Sequence, residues 1–253
     1  MAYQTIIYQK EGHLATVTLN RPQRLNAIDS VMPRELNAAF DEMERDPEVW
    51  VVILTGDDRA FSAGADIRED RPPRWLREVN RLFNRIEAFE KPVIAAVNGF
   101  CLGGGLELAL CCDIIVASET AQLGMAEMKI GAIPGAGGTQ RLPRVVGMLK
   151  AKELIYTGDP IDGVEAYRIG LANRVVPPGQ AREEARKLAL TLIDRPPLTM
   201  RTAKHCLNVG MQMALPAALE WAEARIAAQP TTKDAVEGRL AFREKRKPVW
   251  RGE

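Results

Sequence analysis

Residues 91–118 read KPVIAAVNGFCLGGGLELALCCDIIVAS. KPVIAAVNG is an apolar run closed by Asn98-Gly99, and DIIVAS is a second, β-branched one. Between them, GGGLELALCC has the make-up of a short buried helix. Strand, glycine turn, helix and strand in succession predict a parallel sheet, because parallel neighbours must be joined by a crossover. The stretch also holds an oddity. Three consecutive glycines give up their side chains just ahead of Glu107, a carboxylate set among leucines.

The same alternation extends outward. Upstream, WVVILTG (50–56) is dense in β-branched residues and reads as a buried strand. TIIYQKEGHLATVTLN (5–20) is two β-rich runs around Glu11-Gly12, a hairpin signature. Asp29 or Ser30 can cap a helix through SVMPRELNAAFDEMERD (30–46), which must stop before Pro47. FSAGADIRED (61–70) is a glycine-containing turn. PRWLREVNRLFNRIEAF (73–89) is an amphipathic helix with Trp75, Leu76, Val79, Leu82, Phe83 and Ile86 on one face. Downstream of Pro196-Pro197 strand signals stop and only helices are predicted. The expected organisation is an α/β core over 1–195 with a helical tail over 196–253.

Bulk properties narrow the function classes. The chain has 253 residues, 46% of them apolar and 26% charged, and its 34 basic and 33 acidic side chains leave a formal net charge of +1. That balance gives no reason to expect a nucleic-acid or charged-membrane partner. No apolar run reaches bilayer-spanning length, and MAYQTIIYQKEGH lacks the order of a secretory signal. Cys101, Cys111, Cys112 and Cys206 lie in apolar or helical stretches without metal-ligand spacing, so they read as reduced packing residues of a cytoplasmic protein. Neither His13 nor His205 has the sequence company of a Ser-His-Asp triad or a metal site, and no metal is expected.

Two carboxylates stand out. Glu107 falls in the first turn of its predicted helix, where free backbone N–H groups and the helix dipole favour a negative charge. Gly103, Gly104 and Gly105 would let a ligand approach that backbone without a Cβ in the way. Glu107 could equally just satisfy N-terminal amides while the glycines pack on a strand. Glu127, in GMAEMKIGAIPGAGGTQRL (124–142), sits among Met125, Met128 and Ile130, so burial there would raise its pKa. Together they could form an acid–base pair. Alternatively Glu127 caps a helix or pairs with Lys129. A nucleotide fold does not fit: GFCLGGG lacks G-x-G-x-x-G spacing, and GAGGTQ lacks the Gly-Lys-Ser/Thr of a phosphate loop.

FSAGADI (61–67), AAVNGFCLGGGLELALCCD (95–113) and AEMKIGAIPGAGGTQRLPRVVG (126–147), with TLNRPQRLNAI (18–28) and AFREKRKP (241–248), resemble the crotonase, or enoyl-CoA hydratase/isomerase, superfamily over nearly the whole chain. The resemblance implies a spiral of repeated ββα units with a helical tail that drives trimers, often paired into hexamers. It implies an acyl-CoA substrate, with coenzyme A part of that substrate and no further cofactor. The thioester oxygen would lie between the backbone N–H groups of Ala65 and Gly104. Two glutamates, matched by Glu107 and Glu127, mark hydratases, whereas members that only isomerise or cleave commonly keep one or neither. It further implies CoA contacts from the backbone of Ala63, Asp66 and Ile67, from Arg24 and Lys245, and from Phe242 beside the adenine. Pro134 and Gly135 would floor the acyl pocket. Lys245 also reads as a solvated helix end in a basic cluster with Arg243, Arg246 and Lys247.

The activity so implied is an enoyl-CoA hydratase, with an isomerase or a dehydratase of a specialised thioester such as carnitinyl-CoA as rivals. A different reading, RNA binding, rests on the stripe Arg74, Arg77, Arg81 and Arg85, which Glu78 and Glu87 dilute.

Overall fold

The computed structural model describes residues 3–70, 72 and 74–253. In chain order the elements begin with the hairpin β1 (Ile6–Glu11) and β2 (Leu14–Leu19), then α1 (Met32–Arg45), β3 (Val51–Thr55), β4 (Ala60–Ser62) and α2 (Trp75–Ala88). They continue with β5 (Val93–Val97), β6 (Phe100–Leu102), α3 (Gly104–Ala109), β7 (Ile114–Ser118) and β8 (Gln122–Gly124). A 3-10 turn over Ala126–Ile130 leads to α4 (Gly138–Val146), α5 (Met148–Thr157), β9 (Ile161–Asp162), α6 (Gly163–Arg168), β10 (Arg174–Val176) and α7 (Ala181–Ile193). The tail is α8 (Pro197–Gly210), α9 (Leu215–Ile226), a 3-10 turn over Gln229–Thr231, and α10 (Lys233–Glu244).

The larger sheet runs β1-β2-β3-β5-β7-β10 and is parallel beyond its first hairpin. Its central strands are buried on both faces, which is why they read as continuous apolar runs. In β3, Val52 and Leu54 face the main core with α1 and α2. Val51 and Ile53 face a second cluster closed by Ala181, Ala185, Leu188 and Ala189 of α7. A smaller sheet, β4-β6-β8-β9, has three parallel strands and an antiparallel edge.

The expected hairpin, strands and main helices are present. α1 starts at Met32 with Val31 as its N-cap, so neither expected residue holds that position; Asp29, two residues earlier, accepts with Oδ1 from the N–H groups of Val31 and Met32 at 3.0 and 2.8 Å, while Ser30 bonds to Glu69. The α2 reading began at Pro73, which lies outside the described residues, as do Met1 and Ala2. Two further expectations need correction. FSAGADIRED is not all turn, because its first residues finish β4. Gly103 precedes its helix rather than opening it, with φ +50°, and α3 has only six residues.

Candidate active site

The C-terminal ends of β4 and β6 in the smaller sheet, together with α2 and the 3-10 turn, surround a cavity of about 890 Å³. Its lining includes Ala63, Ala65, Asp66 and Ile67 from the turn after β4, Gly103, Gly104 and Glu107 from the start of α3, Glu127 from the 3-10 turn, and Gly135. Trp75, Leu76 and Val79 of α2 form an apolar wall. Trp75 is held there by its indole N–H, which donates to the Asp29 carbonyl at 2.8 Å.

Ala65 takes part in an isolated parallel bridge with Ile28. Its two bonds run from Ile28 N to Gly64 O, 2.7 Å, and from Asp66 N to Ile28 O, 2.9 Å. A parallel bridge of this kind uses the flanking groups and turns the N–H of Ala65 itself to the other side. Gly104 is the first residue of α3, so its N–H has no intrahelical acceptor. Neither N–H donates to a backbone carbonyl among the described residues. The two turns approach so closely that a Cβ at Gly64, where φ is +91°, would come within 2.7 Å of Leu102 O and 3.1 Å of Gly104 N. Glycine is required at 64 on both counts.

Glu107 is 3% exposed, and its Oε1 accepts from Ala136 N–H and Gly138 N–H, both at 2.8 Å. Burial pushes its pKa above the usual carboxylate value, while those two amides and the charge of Arg141 pull it back. This corrects the expected origin of its charge support. The donors come from Ala136 in the loop before α4 and from Gly138 at its first position, not from the six-residue α3.

Glu127 is half-buried, and its Oε2 has no hydrogen-bond partner among the described residues. Burial, reinforced by the charge of Glu107, raises its pKa to about 7. Lys129 does not pair with it, being engaged by Asp159 at 2.6 Å. The glycines make room for both carboxylates: a Cβ at Gly103 would lie 2.9 Å from Glu127 Oε1, and one at Gly138 would lie 3.0 Å from Glu107 Oε1. Two carboxyls therefore face one cavity, one bridged by amides and one held near its protonated form.

Other predicted site residues divide. Arg24 lines the cavity and, with Arg68, makes no ion pair among the described residues. The Asp66 side chain turns to Arg21, at 3.0 Å. Pro134 is buried and is not among the lining residues, so Gly135 alone of the expected floor reaches the cavity. Phe242, 84% exposed on α10, and Lys245, at its C-terminus, also lie outside the lining of the single chain. Of the arginine stripe, Arg74 pairs with Glu78 and Arg85 with Asp41 and Glu44, while Arg77 and Arg81 make no ion pair among the described residues. Among the described residues no three His, Cys, Asp or Glu side chains gather as a metal ligand set, and no helix is long and apolar enough to cross a membrane.

The sequence profile of the enoyl-CoA hydratase/isomerase family matches residues 9–253. A short-chain-enoyl-CoA hydratase of Clostridium acetobutylicum is 43% identical over 98% of this chain and 97% of its own length. A crotonyl-CoA hydratase of Syntrophomonas wolfei is 44% identical over 98% of both. The crystal structure of an enoyl-CoA hydratase from Bacillus anthracis superposes with a TM-score of 0.96 at 38% identity, covering 99% of this chain and 100% of that one.

Proposed function

The chain belongs to the enoyl-CoA hydratase/isomerase family, and from that premise we propose that it adds water reversibly, in the syn sense, across a trans-2-enoyl-CoA to give the 3-hydroxyacyl-CoA. The observation that carries this reading is the pair of carboxyls facing one cavity beside two uncommitted backbone donors. Addition of water needs a group to take a proton from it and a group to give one to carbon, which an unassisted double-bond shift through a single shuttle does not.

In the proposed reaction the thioester oxygen lies between Ala65 N–H and Gly104 N–H. Glu107, whose charge is supported by two amides, removes a proton from water as its oxygen bonds to C3. The π electrons move onto the thioester oxygen, where the two N–H groups hold the enolate. As the enolate collapses, Glu127 gives its proton to C2. A proton passing from Glu107 back to Glu127 restores the starting state, so the net change is H on C2 and OH on C3. No group beyond the CoA of the substrate is required. Arg24 and the backbone of Ala63, Asp66 and Ile67 are assigned to CoA. Phe242 and Lys245 stand apart from the cavity, so their expected contacts require the assembled oligomer.

The assembly proposed is a homotrimer or a pair of trimers, built through the tail over 196–253. Its helices expose Leu207, Met211, Leu215 and Leu219, more apolar surface than a lone chain usually leaves in water. The free thiols, two of them buried, suit a reducing cytoplasm.

The direct test is the ultraviolet band of the conjugated thioester of crotonyl-CoA near neutral pH. Wild type should bleach it, with Glu127→Gln slower by roughly 100- to 10,000-fold. Equal bleaching by both would remove Glu127 from the chemistry, and a wild type that leaves crotonyl-CoA untouched would exclude a short straight-chain enoyl-CoA as the substrate.

A further inference from the structure

Glu107 is held by amides of a loop, and that loop is itself held. Arg141, on α4, sends Nη1 to the carbonyl of Ala136 at 3.0 Å, the residue whose N–H binds Glu107. Its Nη2 donates to Asn84 Oδ1 and to Glu87 Oε2, both at 2.7 Å, on α2. The side chain is only 11% exposed, deep for an arginine. One turn earlier on α2, Asn80 donates to the carbonyl of Gly135 at 3.1 Å. Three side chains of one helix thus reach the loop, one directly and two through a guanidinium.

The fit leaves no slack. Gly137 stands between the two amides that grip Glu107, with φ +103°, and a Cβ there would lie 2.0 Å from Arg141 Nη1. The guanidinium occupies the space a side chain would need, so loop conformation and guanidinium position specify each other. A planar fork can hold carbonyl, amide and carboxylate at once, which a lysine ammonium on a flexible stem does less well.

We propose that Arg141 is the positioning residue for Glu107, fixing the Ala136-Gly137-Gly138 loop against α2 so that its two amides hold the carboxylate in line with the reacting water. The inference rests on the reading of Glu107 as the base, and it adds a consequence. α2 supplies both the apolar wall of the cavity, through Trp75, Leu76 and Val79, and the far end of this clamp.

Arg141→Lys and Glu87→Gln test it, the second leaving the guanidinium in place and loosening its anchor. Both should keep the wild-type circular dichroism spectrum. With crotonyl-CoA, kcat should fall roughly 10- to 100-fold in Arg141→Lys, and less in Glu87→Gln, with KM little changed, as expected when a catalytic group is displaced and binding is not. The acid limb of the rate should move to higher pH, since the carboxylate loses donors that favour its charged form.

A readout without turnover separates this from the function itself: the pH titration of the Glu107 carboxyl infrared band, identified by its loss in Glu107→Gln. Its midpoint should rise in both variants even if crotonyl-CoA is not the substrate. Unchanged midpoints, or a KM rise with kcat intact, would overturn the role of Arg141. A wild type inactive on crotonyl-CoA with midpoints that do rise would overturn the substrate and leave the clamp.

Discussion

A folded chain that keeps a proton on Glu127 up to about pH 7, against an ordinary value of 4.5, is made less stable by that residue as pH rises. Between those two values the native state holds a proton the unfolded state has lost, so stability falls with increasing pH across the window. Glu127→Gln removes the titration. The variant should melt higher than wild type at pH 8, by about 2–4 °C, and by less at pH 4, where both states are protonated. Calorimetry at the two pH values checks it, and an equal difference at both would mean that the side chain does not titrate high. In the proposed reaction the same group sets the alkaline side of catalysis. The proposed hydration needs Glu127 protonated, so kcat/KM should decline as pH passes about 7. A flat profile from pH 6 to 9 would contradict the assignment of the C2 proton to Glu127.

The site depends on where short elements begin. α4 starts at Gly138, which lends its N–H to Glu107 and would, with a Cβ, press within 2.9 Å of Met125 Cε and Pro134 Cβ and 3.0 Å of Glu107 Oε1. Gly138→Ala must therefore move the carboxylate or the loop, and kcat should drop roughly 10- to 100-fold while the fold survives. Stopped-flow hydration of crotonyl-CoA reads it. Elements of this size also explain what could be read from the sequence. β3, β5 and β7 were legible because five-residue runs buried on both faces are unbroken apolar blocks. The smaller sheet was not, because β4, β6 and β8 have three residues each and β9 two, below the length at which alternation shows. Glu107 and Glu127 were legible as carboxylates in apolar company. Their environment was not: the amides that bind Glu107 lie 29 and 31 residues away, and backbone donors leave no mark in residue identity. No signal in the sequence singles out Arg141. Only the fold brings it to Ala136, Asn84 and Glu87.

At the scale of the molecule, the question is how the helical tail is fixed and what its outer face does. Inward, Lys204 of α8 reaches Asp113 at 2.7 Å and the carbonyl of Lys91 at 3.2 Å, and Asp113 also accepts from Val93 N–H at the head of β5. Lys204 is the buried partner, its side chain 8% exposed against 23% for Asp113, so Asp113→Ala would strand the ammonium and should destabilise the chain by about 3 kcal/mol in urea unfolding; a change under 0.5 kcal/mol would mean the tail docks by packing alone. Outward, Leu207 and Met211 repeat at helical spacing along α8 and its end, and Leu215 and Leu219 do so on α9. Their exposures in the single chain are 68%, 86%, 70% and 62%. Helix α8 packs on α9, so the two pairs belong to one hairpin, and spacing of this kind on adjacent helices suits burial against another copy. Sedimentation equilibrium should find a mass three or six times the 28.0 kDa of the chain. Leu207→Glu with Leu219→Glu would place charges in that contact and should shift the mass toward one chain without unfolding the core, whose apolar clusters contain neither residue. If Phe242 and Lys245 serve CoA only in the assembly, the dissociated variant should also show a higher KM for crotonyl-CoA with its carboxyl pair intact. A monomeric wild type would remove both the assembly and the CoA role of those two residues.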